Sequence, residues 1–422
     1  MENESGGFDW RINLLLAVLI ATGALAIRVL LLSHPAEIIF DEFYYVDAAQ
    51  KILQGEDDPN WVHPHVGKYL IGSGIILFGD NSFGWRIIGV VFGSISVFLI
   101  YYLAMELFQS TSSALVASFL LAIDPLHFVQ TRIAMLDTYF LPFVILAFYS
   151  VLRHFRNARL EGEEPKAYSH WLLISGISIG IGLTTKWSTA LAIIGVIVIY
   201  ILYSLRRRET QFIRGFRTWG KRVAILGSIF VVIPLSIFVS SFSLDFHRGT
   251  SLNHWLSTQY AIIDFQTTVT SEHPYMSPAW TWILNLNPML YYLDESANAI
   301  IRAEGNNIAW WFSIMAVGYI SYRAVRGGRI AAFVVIAIAT QYLPWFISPR
   351  TTYLFYFFPT LPFIYLASAY LLTIFMSWEY RKFGLILTLV YLLSVLGLFT
   401  YAFPTYIGVS QTFWSNLVYG ID

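Results

Sequence analysis

Asp41 and Glu42 stand side by side in Ile38-Ile39-Phe40-Asp41-Glu42-Phe43-Tyr44-Tyr45, just after the first apolar run long enough to cross a bilayer. Ionised carboxylates beside a membrane must be solvated or paired, so an adjacent pair there is costly. A helix leaving the bilayer can stop at almost any polar residue. A carboxylate doublet set among aromatic rings therefore suggests a site. The expected chemistry is that of an enzyme working at the membrane surface on something the lipid delivers.

Other charges fall at comparable places. Arg132 and Asp137 lie in Gln130-Thr131-Arg132-Ile133-Ala134-Met135-Leu136-Asp137-Thr138, Lys186 in Thr184-Thr185-Lys186-Trp187-Ser188, and Arg350 in Ser348-Pro349-Arg350-Thr351-Thr352-Tyr353. Each sits at an expected turn between spanning segments, on the same side as the doublet. Acid and base offered by four turns at one membrane depth suit a lipid monophosphate bound by a few Arg or Lys groups, with a carboxylate opposite. Any one of these residues alone also reads as a snorkelling or helix-end charge.

The elements that must position them are membrane helices. Hydrophobic residues make up 57% of the 422 and charged residues 12%, against roughly 25% charged in soluble domains. Such a chain is a polytopic membrane protein. Apolar runs occur near 13–33, 87–107, 112–130, 133–152, 171–185, 187–205, 223–242, 307–322, 330–347, 353–376 and 384–403. By the ~20-residue rule that makes about eleven helices. Net charge is zero, yet Arg153, Arg156, Arg159, Lys166, Arg206, Arg207, Arg208, Arg214, Arg217, Lys221, Arg222, Arg323, Arg326, Arg329, Arg381 and Lys382 fall on one side. The positive-inside rule makes that side cytoplasmic, which puts the N-terminus inside, and the C-terminus and Asp41-Glu42 outside. Glu2, Glu4 and Asp9 stand where a signal peptide would be basic, so the first segment is expected to be retained. The basic stretch 206–222 reads as topology signal and headgroup contact rather than a nucleic-acid site. There is no cysteine, hence no disulfide or thiol chemistry.

Two external connections are long, 34–86 and 243–306, and loops of that length are often functional. The first holds the doublet, an expected interfacial helix over Asp41 to Leu53, and Trp61-Val62-His63-Pro64-His65-Val66-Gly67-Lys68. The second holds His254, Tyr260, His273-Pro274-Tyr275, Trp280, Trp282 and Asn287-Pro288. No repeat or soluble domain is evident, so the chain is read as a single membrane domain, 1–422.

With these motifs in order, the sequence resembles the protein O-mannosyltransferases of the GT-C glycosyltransferase superfamily, in a compact, prokaryotic-type form. Phe40-Asp41-Glu42-Phe43-Tyr44-Tyr45 is similar to the family's Asp-Glu motif, and His63-Pro64-His65-Val66-Gly67-Lys68 to its His-Pro-Pro-x-Gly-Lys. Asp124-x-x-His127-Phe128-Val129-x-x-Arg132-x-x-Met135-Leu136-Asp137 resembles its Arg-x-x-x-Leu-Asp region, and Lys186-Trp187-Ser188 a Lys-Trp-Ser element. His273-Pro274-Tyr275-x-Ser277-x-x-Trp280-x-Trp282, Asn287-Pro288-x-x-Tyr291-Tyr292, Gly305-Asn306-Asn307-x-x-Trp310-Trp311 and Arg350-Thr351-Thr352-Tyr353-x-Phe355-Tyr356 follow the family's later pattern. His65 replaces the second proline of His-Pro-Pro, and Asn307 the proline of Gly-Asn-Pro. The second loop is too short for the soluble domain of eukaryotic members. These departures bear on acceptor identity rather than on reaction class.

The resemblance implies an all-α GT-C fold and an inverting transfer of mannose from a polyprenyl (dolichyl-type) monophosphate to protein Ser/Thr hydroxyls. Asp41 would be the general base, its pKa raised among aromatic rings, with Glu42 orienting donor or acceptor. Arg132, Arg350, Lys186 and Lys68 would stabilise the leaving phosphate, so no metal cofactor is required. A lipid or lipid-linked glycan acceptor, as in the lipid A aminoarabinose transferases, is the alternative, and a lipid-linked sugar transporter a remote one. His63-x-His65 with Asp41 or Glu42 offers a metal alternative. His63, His65, Asp137, Tyr275, Trp280 and Trp282 are the expected acceptor or sugar contacts. Asp137 reads equally as a partner that orients Arg132 or as a satisfied helix-end carboxylate. Trp280 and Trp282 read as interfacial belt residues or as a stacking wall. His127, His254 and His273 line the site or are hydrogen-bonded interfacial histidines. Expected partners are the lipid-linked donor, the acceptor and membrane lipids, with no nucleic acid. The expected location is the plasma membrane, with the site on its outer face.

Overall fold

The computed structural model describes residues 10–160, 168–205, 216–270, 272–377 and 381–419. Glu2, Glu4, Asp9, Lys166, Arg206, Arg207, Arg208 and Arg214 lie outside them, so part of the charge asymmetry has no structural description.

The first half runs α1 (Trp10–Val29), α2 (Glu42–Leu53), α3 (Val66–Phe78), α4 (Ser82–Phe108), α5 (Thr111–Ala122), α6 (Pro125–Gln130), α7 (Leu136–Leu160), α8 (His170–Leu183) and α9 (Ala190–Leu205). Next come α10 (Phe216–Gly227), α11 (Ile233–Ser240), α12 (Ser243–His247) and α13 (Leu252–Thr268). A hairpin of β1 (Met289–Asp294) and β2 (Ala299–Ala303) leads to α14 (Asn307–Val325), α15 (Arg329–Tyr342), α16 (Leu361–Met376), α17 (Arg381–Ile407) and α18 (Gln411–Tyr419).

Each of the eleven apolar runs forms helix, but among the described residues eight helices are long and apolar enough to cross a membrane. The runs at 112–130 and 171–185 yield only the short apolar helices α5 and α8. The first of these runs is broken at Asp124-Pro125. Asp124 accepts from the His127 amide at 2.8 Å, and Pro125 opens α6, where its missing N–H costs nothing. The run at 307–322 forms α14, which is not among the eight. α3 is a further short apolar helix inside the first loop.

α4 packs against α1, α3, α5 and α7, while α16 joins α5, α14, α15 and α17. The approach of α3 to α4 depends on glycine: a β-carbon on Gly74 would meet the Gly84 carbonyl oxygen at 2.2 Å. The α2 helix forms where a helix is expected in the first loop, with Asp41 at its N-terminal boundary. The two-stranded hairpin is a local exception to an all-α reading. Its antiparallel register slips between Leu290 and Tyr292, leaving Tyr291 as a bulged residue of the kind that re-aims a side chain.

A cavity built from four turns

The chain between α1 and α2 is held by two buried arginines. Arg132 donates to the carbonyls of Arg28, Leu30 (2.7 Å) and Leu31 (3.2 Å), which complements the exposed carbonyls and negative dipole end of α1. Arg86 donates to the carbonyls of Leu32, Pro35 and Glu37. It also grips both oxygens of Glu42 at 2.8 Å. Glu42 in turn accepts from the Ile39 and Ala134 amides and is fully buried. Phe40, at φ 48, sits in the left-handed region that an aromatic residue rarely adopts. Its ring stacks on Tyr291 at 4.0 Å and meets Phe355 edge-on at 6.1 Å.

These anchors turn Asp41 toward a cavity of about 800 Å³. An aspartate at a helix N-cap commonly spends its carboxylate on the first amides, but Asp41 makes no such bond. Its carboxylate lines the cavity instead. Burial raises its pKa to about 6, with Asp137 adding to the rise and Lys186 and a hydrogen bond from Tyr45 opposing it.

The same cavity is lined by Asp137 from the first turn of α7, Lys186 from the turn after α8, and Arg350 from the chain beyond α15. Lys186 Nζ bonds Asp137 at 2.6 Å and lies 5.5 Å from the Phe355 ring. The Arg350 guanidinium is 5.6 Å from the Tyr356 ring and donates to Gln266. Its Nε has no protein partner among the described residues, and neither do Asn60 Oδ1 and His63 Nδ1, all three from residues lining the cavity. Burial first, then Lys186, Lys68 and Arg350, holds the His63 pKa well below 6.5, so its imidazole is neutral. The arrangement places a carboxylate of near-neutral pKa and two cations around a volume that admits a sugar and a phosphate.

The structure brings Asp41, His63, Asp137, Lys186 and Arg350 together and leaves the other expected residues elsewhere. Asp137 pairs with Lys186 rather than orienting Arg132. Arg132 is consumed by backbone carbonyls. Lys68 is buried against Asp58 and the carbonyls of Asn60 and His63. His65 has carboxylates on both ring nitrogens, Asp58 and Asp245, each at 2.7 Å, so it does not stand beside His63 at Asp41. Among the described residues no group of three or more His, Asp or Glu side chains is placed to hold a metal. Trp282 is fully buried and donates to Ser277, so it is neither a belt residue nor a wall of the cavity. Trp280 is exposed, and Tyr275 stands behind His273, which does line the cavity. His127 bonds Arg28 in the interior and His254 is on the surface.

Sequence reasoning did not assign roles to Asn60, Gln266, Tyr353 and Tyr356, all of which line the cavity. Tyr353 and Tyr356 follow Arg350 within one motif, a signal that was available. Asn60 and Gln266 stand in no motif.

The family model for dolichyl-phosphate-mannose-protein mannosyltransferases matches residues 18–249, and that for the C-terminal four-transmembrane region of protein O-mannosyltransferases matches 251–418. The chain belongs to the protein mannosyltransferase family. It is therefore a multi-pass membrane glycosyltransferase. It is 28% identical to the polyprenol-phosphate-mannose–protein mannosyltransferase of Mycolicibacterium smegmatis, across 94% of this chain and 90% of that one. Over 51% of this chain and 39% of the relative, it is 31% identical to the undecaprenyl phosphate-alpha-4-amino-4-deoxy-L-arabinose arabinosyl transferase of Pseudomonas aeruginosa. Its fold is similar to that of the S. cerevisiae protein O-mannosyltransferase Pmt1-Pmt2 complex bound to the sugar donor, with TM-score 0.82 at 12% identity over 97% of this chain and 92% of that chain. ArnT from Cupriavidus metallidurans bound to undecaprenyl phosphate is similar at TM-score 0.59 and 16% identity, over 88% of this chain and 63% of that chain.

Proposed function

We propose that the protein transfers mannose from a polyprenyl monophosphate to Ser or Thr hydroxyls of proteins, with inversion, in the Asp41 cavity. The observation that carries this reading is Asp41 on one cavity wall with Lys186 and Arg350 on the others. Asp41 removes the hydroxyl proton as the acceptor oxygen attacks the anomeric carbon. The bond from that carbon to the phosphate oxygen breaks, and the polyprenyl phosphate leaves with one more negative charge. Lys186 and Arg350 are preorganised to meet that charge. Arginine's planar fork suits phosphate oxygens, and Lys186 is a point charge set in place by Asp137. Glu42 acts at one remove, fixing the chain that aims Asp41.

The charge asymmetry of the loops supports an extracytoplasmic site with a cytoplasmic N-terminus. With cations in place of a metal, the reaction needs no cofactor. A protein acceptor is preferred because similarity to the named protein mannosyltransferase runs along nearly the whole chain, while similarity to the arabinosyl transferase covers half.

The test is transfer of label from polyprenyl-phosphate mannose to a Ser/Thr-rich peptide by purified protein, with and without EDTA. Labelled peptide that survives EDTA and vanishes in Asp41→Asn is the expected result. Label on a lipid or glycan acceptor alone would overturn the protein assignment.

A further inference from the structure

His65 stands where the family motif has proline, and it does something a proline cannot. Its Nδ1 meets Asp58 Oδ2 and its Nε2 meets Asp245 Oδ2, both at 2.7 Å, although Asp245 is 180 residues away. Carboxylates only accept, so both ring nitrogens must donate, and the ring is an imidazolium. Both carboxylates raise its pKa against the effect of burial and Lys68. The ring is 4.8 Å from Phe242 and 5.8 Å from Tyr69. Asp58 and Lys68 face it from the first loop and α3, and Asp245 from α12. Arg248, just beyond α12, donates to the Glu56 carbonyl at 3.0 Å.

This cluster joins the two walls of the cavity. On one side Asp58 accepts from the Asn60 amide at 2.9 Å, and Lys68 holds the Asn60 and His63 carbonyls. Asn60 and His63 line the cavity. On the other side α12 leads into α13, whose Phe265, Gln266 and Thr267 line it too. Gln266 donates to the Val62 carbonyl at 3.3 Å. The two long loops are thus pinned to each other at His65–Asp245, at Arg248–Glu56 and near Gln266.

We propose that His65 is a positioning residue, a protonation-dependent latch that ties the second external loop to the first and holds the cavity walls together. This rests on the Asp41 cavity being the substrate site. A neutral imidazole can donate from one nitrogen only, and its other nitrogen then faces a carboxylate as a lone pair. One bridge must break. Asp245, with 28% of its side chain exposed against 6% for Asp58, is resolvated more easily and is the one released. The latch is closed below the raised His65 pKa and opens as pH rises through it. Opening loosens the wall that grips substrate without touching Asp41, so KM rises roughly tenfold, the scale of one lost charge-assisted hydrogen bond, while kcat changes little.

The absence of cysteine permits a direct test that does not depend on transfer activity. Spin labels on Glu56→Cys and Ser243→Cys, both exposed positions on the two sides of the latch, report their separation from about pH 5 to about pH 9, a range spanning histidine titration. The expected result is one short distance at low pH and a longer population growing at high pH, with KM rising at the same midpoint. In His65→Gln the distance should no longer depend on pH. Should that variant not fold, Asp245→Asn puts an amide that can accept from the imidazolium or donate to the neutral ring in place of the carboxylate, so the pH step in KM should disappear. A wild-type distance constant across the range, a pH response that survives in His65→Gln, or an unchanged pH step in KM in Asp245→Asn overturns the proposal. Absent transfer to any acceptor with a normal distance response would count against the substrate assignment and leave the latch standing.

Discussion

Glu42 meets Arg86 through two parallel contacts of 2.8 Å, with both side chains buried. The second carboxylate of the Asp-Glu doublet is thus an internal counter-ion, and the first is the one left facing the cavity. Breaking a buried pair leaves an uncompensated charge, which costs about 3–5 kcal/mol. Glu42→Gln and Arg86→Met should each lower thermal stability by that order in detergent, with activity lost in proportion to unfolded protein. Normal melting of Glu42→Gln with abolished transfer would instead give Glu42 a role in the chemistry.

Among the described residues Asp41 makes no capping bond, and the hydrogen bond from Tyr45 is the side-chain contact it would lose, so its removal should cost little stability. General-base catalysis contributes typically ~10²–10⁴-fold. Asp41→Asn is therefore expected to lower kcat by about that factor while the melting temperature stays within the spread of surface variants. A comparison of kcat and melting for this variant beside Glu42→Gln separates the two carboxylates.

The pH dependence follows from the sign of the Asp41 shift. Burial raises its pKa to about 6, and a base works only when ionised. Turnover should fall about tenfold per unit as pH drops below about 6 and level above it. An acid limb near the ordinary aspartate value would mean that Asp41 is solvated in the working enzyme. The rise in KM from His65 comes as pH increases through its raised pKa, whereas turnover falls as pH drops through that of Asp41, so the two groups act in opposite directions.

Arg350 and Arg132 offer a contrast between a cation at the cavity and one on the backbone. Arg350→Met should raise the donor KM and lower kcat, together by roughly tenfold or more, the scale of lost charge-assisted contacts to phosphate. Arg132→Met should leave the donor KM near wild type and lower stability instead, because three carbonyls at and just beyond the end of α1 lose their donor. Reversal of that pattern in a donor titration would return the phosphate role to Arg132.

Hydropathy and spacing by themselves determined a great deal here. An apolar run must be satisfied internally as helix once it enters lipid, so the helices could be read from composition alone. The doublet, the Lys186 turn and the Arg350 turn were visible for the same reason: a charge beside a bilayer is expensive and must be explained. What hydropathy reports is depth, not rotation or neighbour. Arg132 and Arg350 both lie in turns between helices, yet one caps α1 and the other lines the cavity, because the fold brings the turn between α6 and α7 against the end of α1 and leaves Arg350 facing the open volume. The His65 bridge was equally invisible, since Asp58 and Asp245 stand in no motif and meet only when the two long loops fold over each other. The sequence determined which charges had to be paired or used. The tertiary structure alone decided between the two, because pairing in a low-dielectric interior depends on contacts of about 3 Å between residues far apart in the chain.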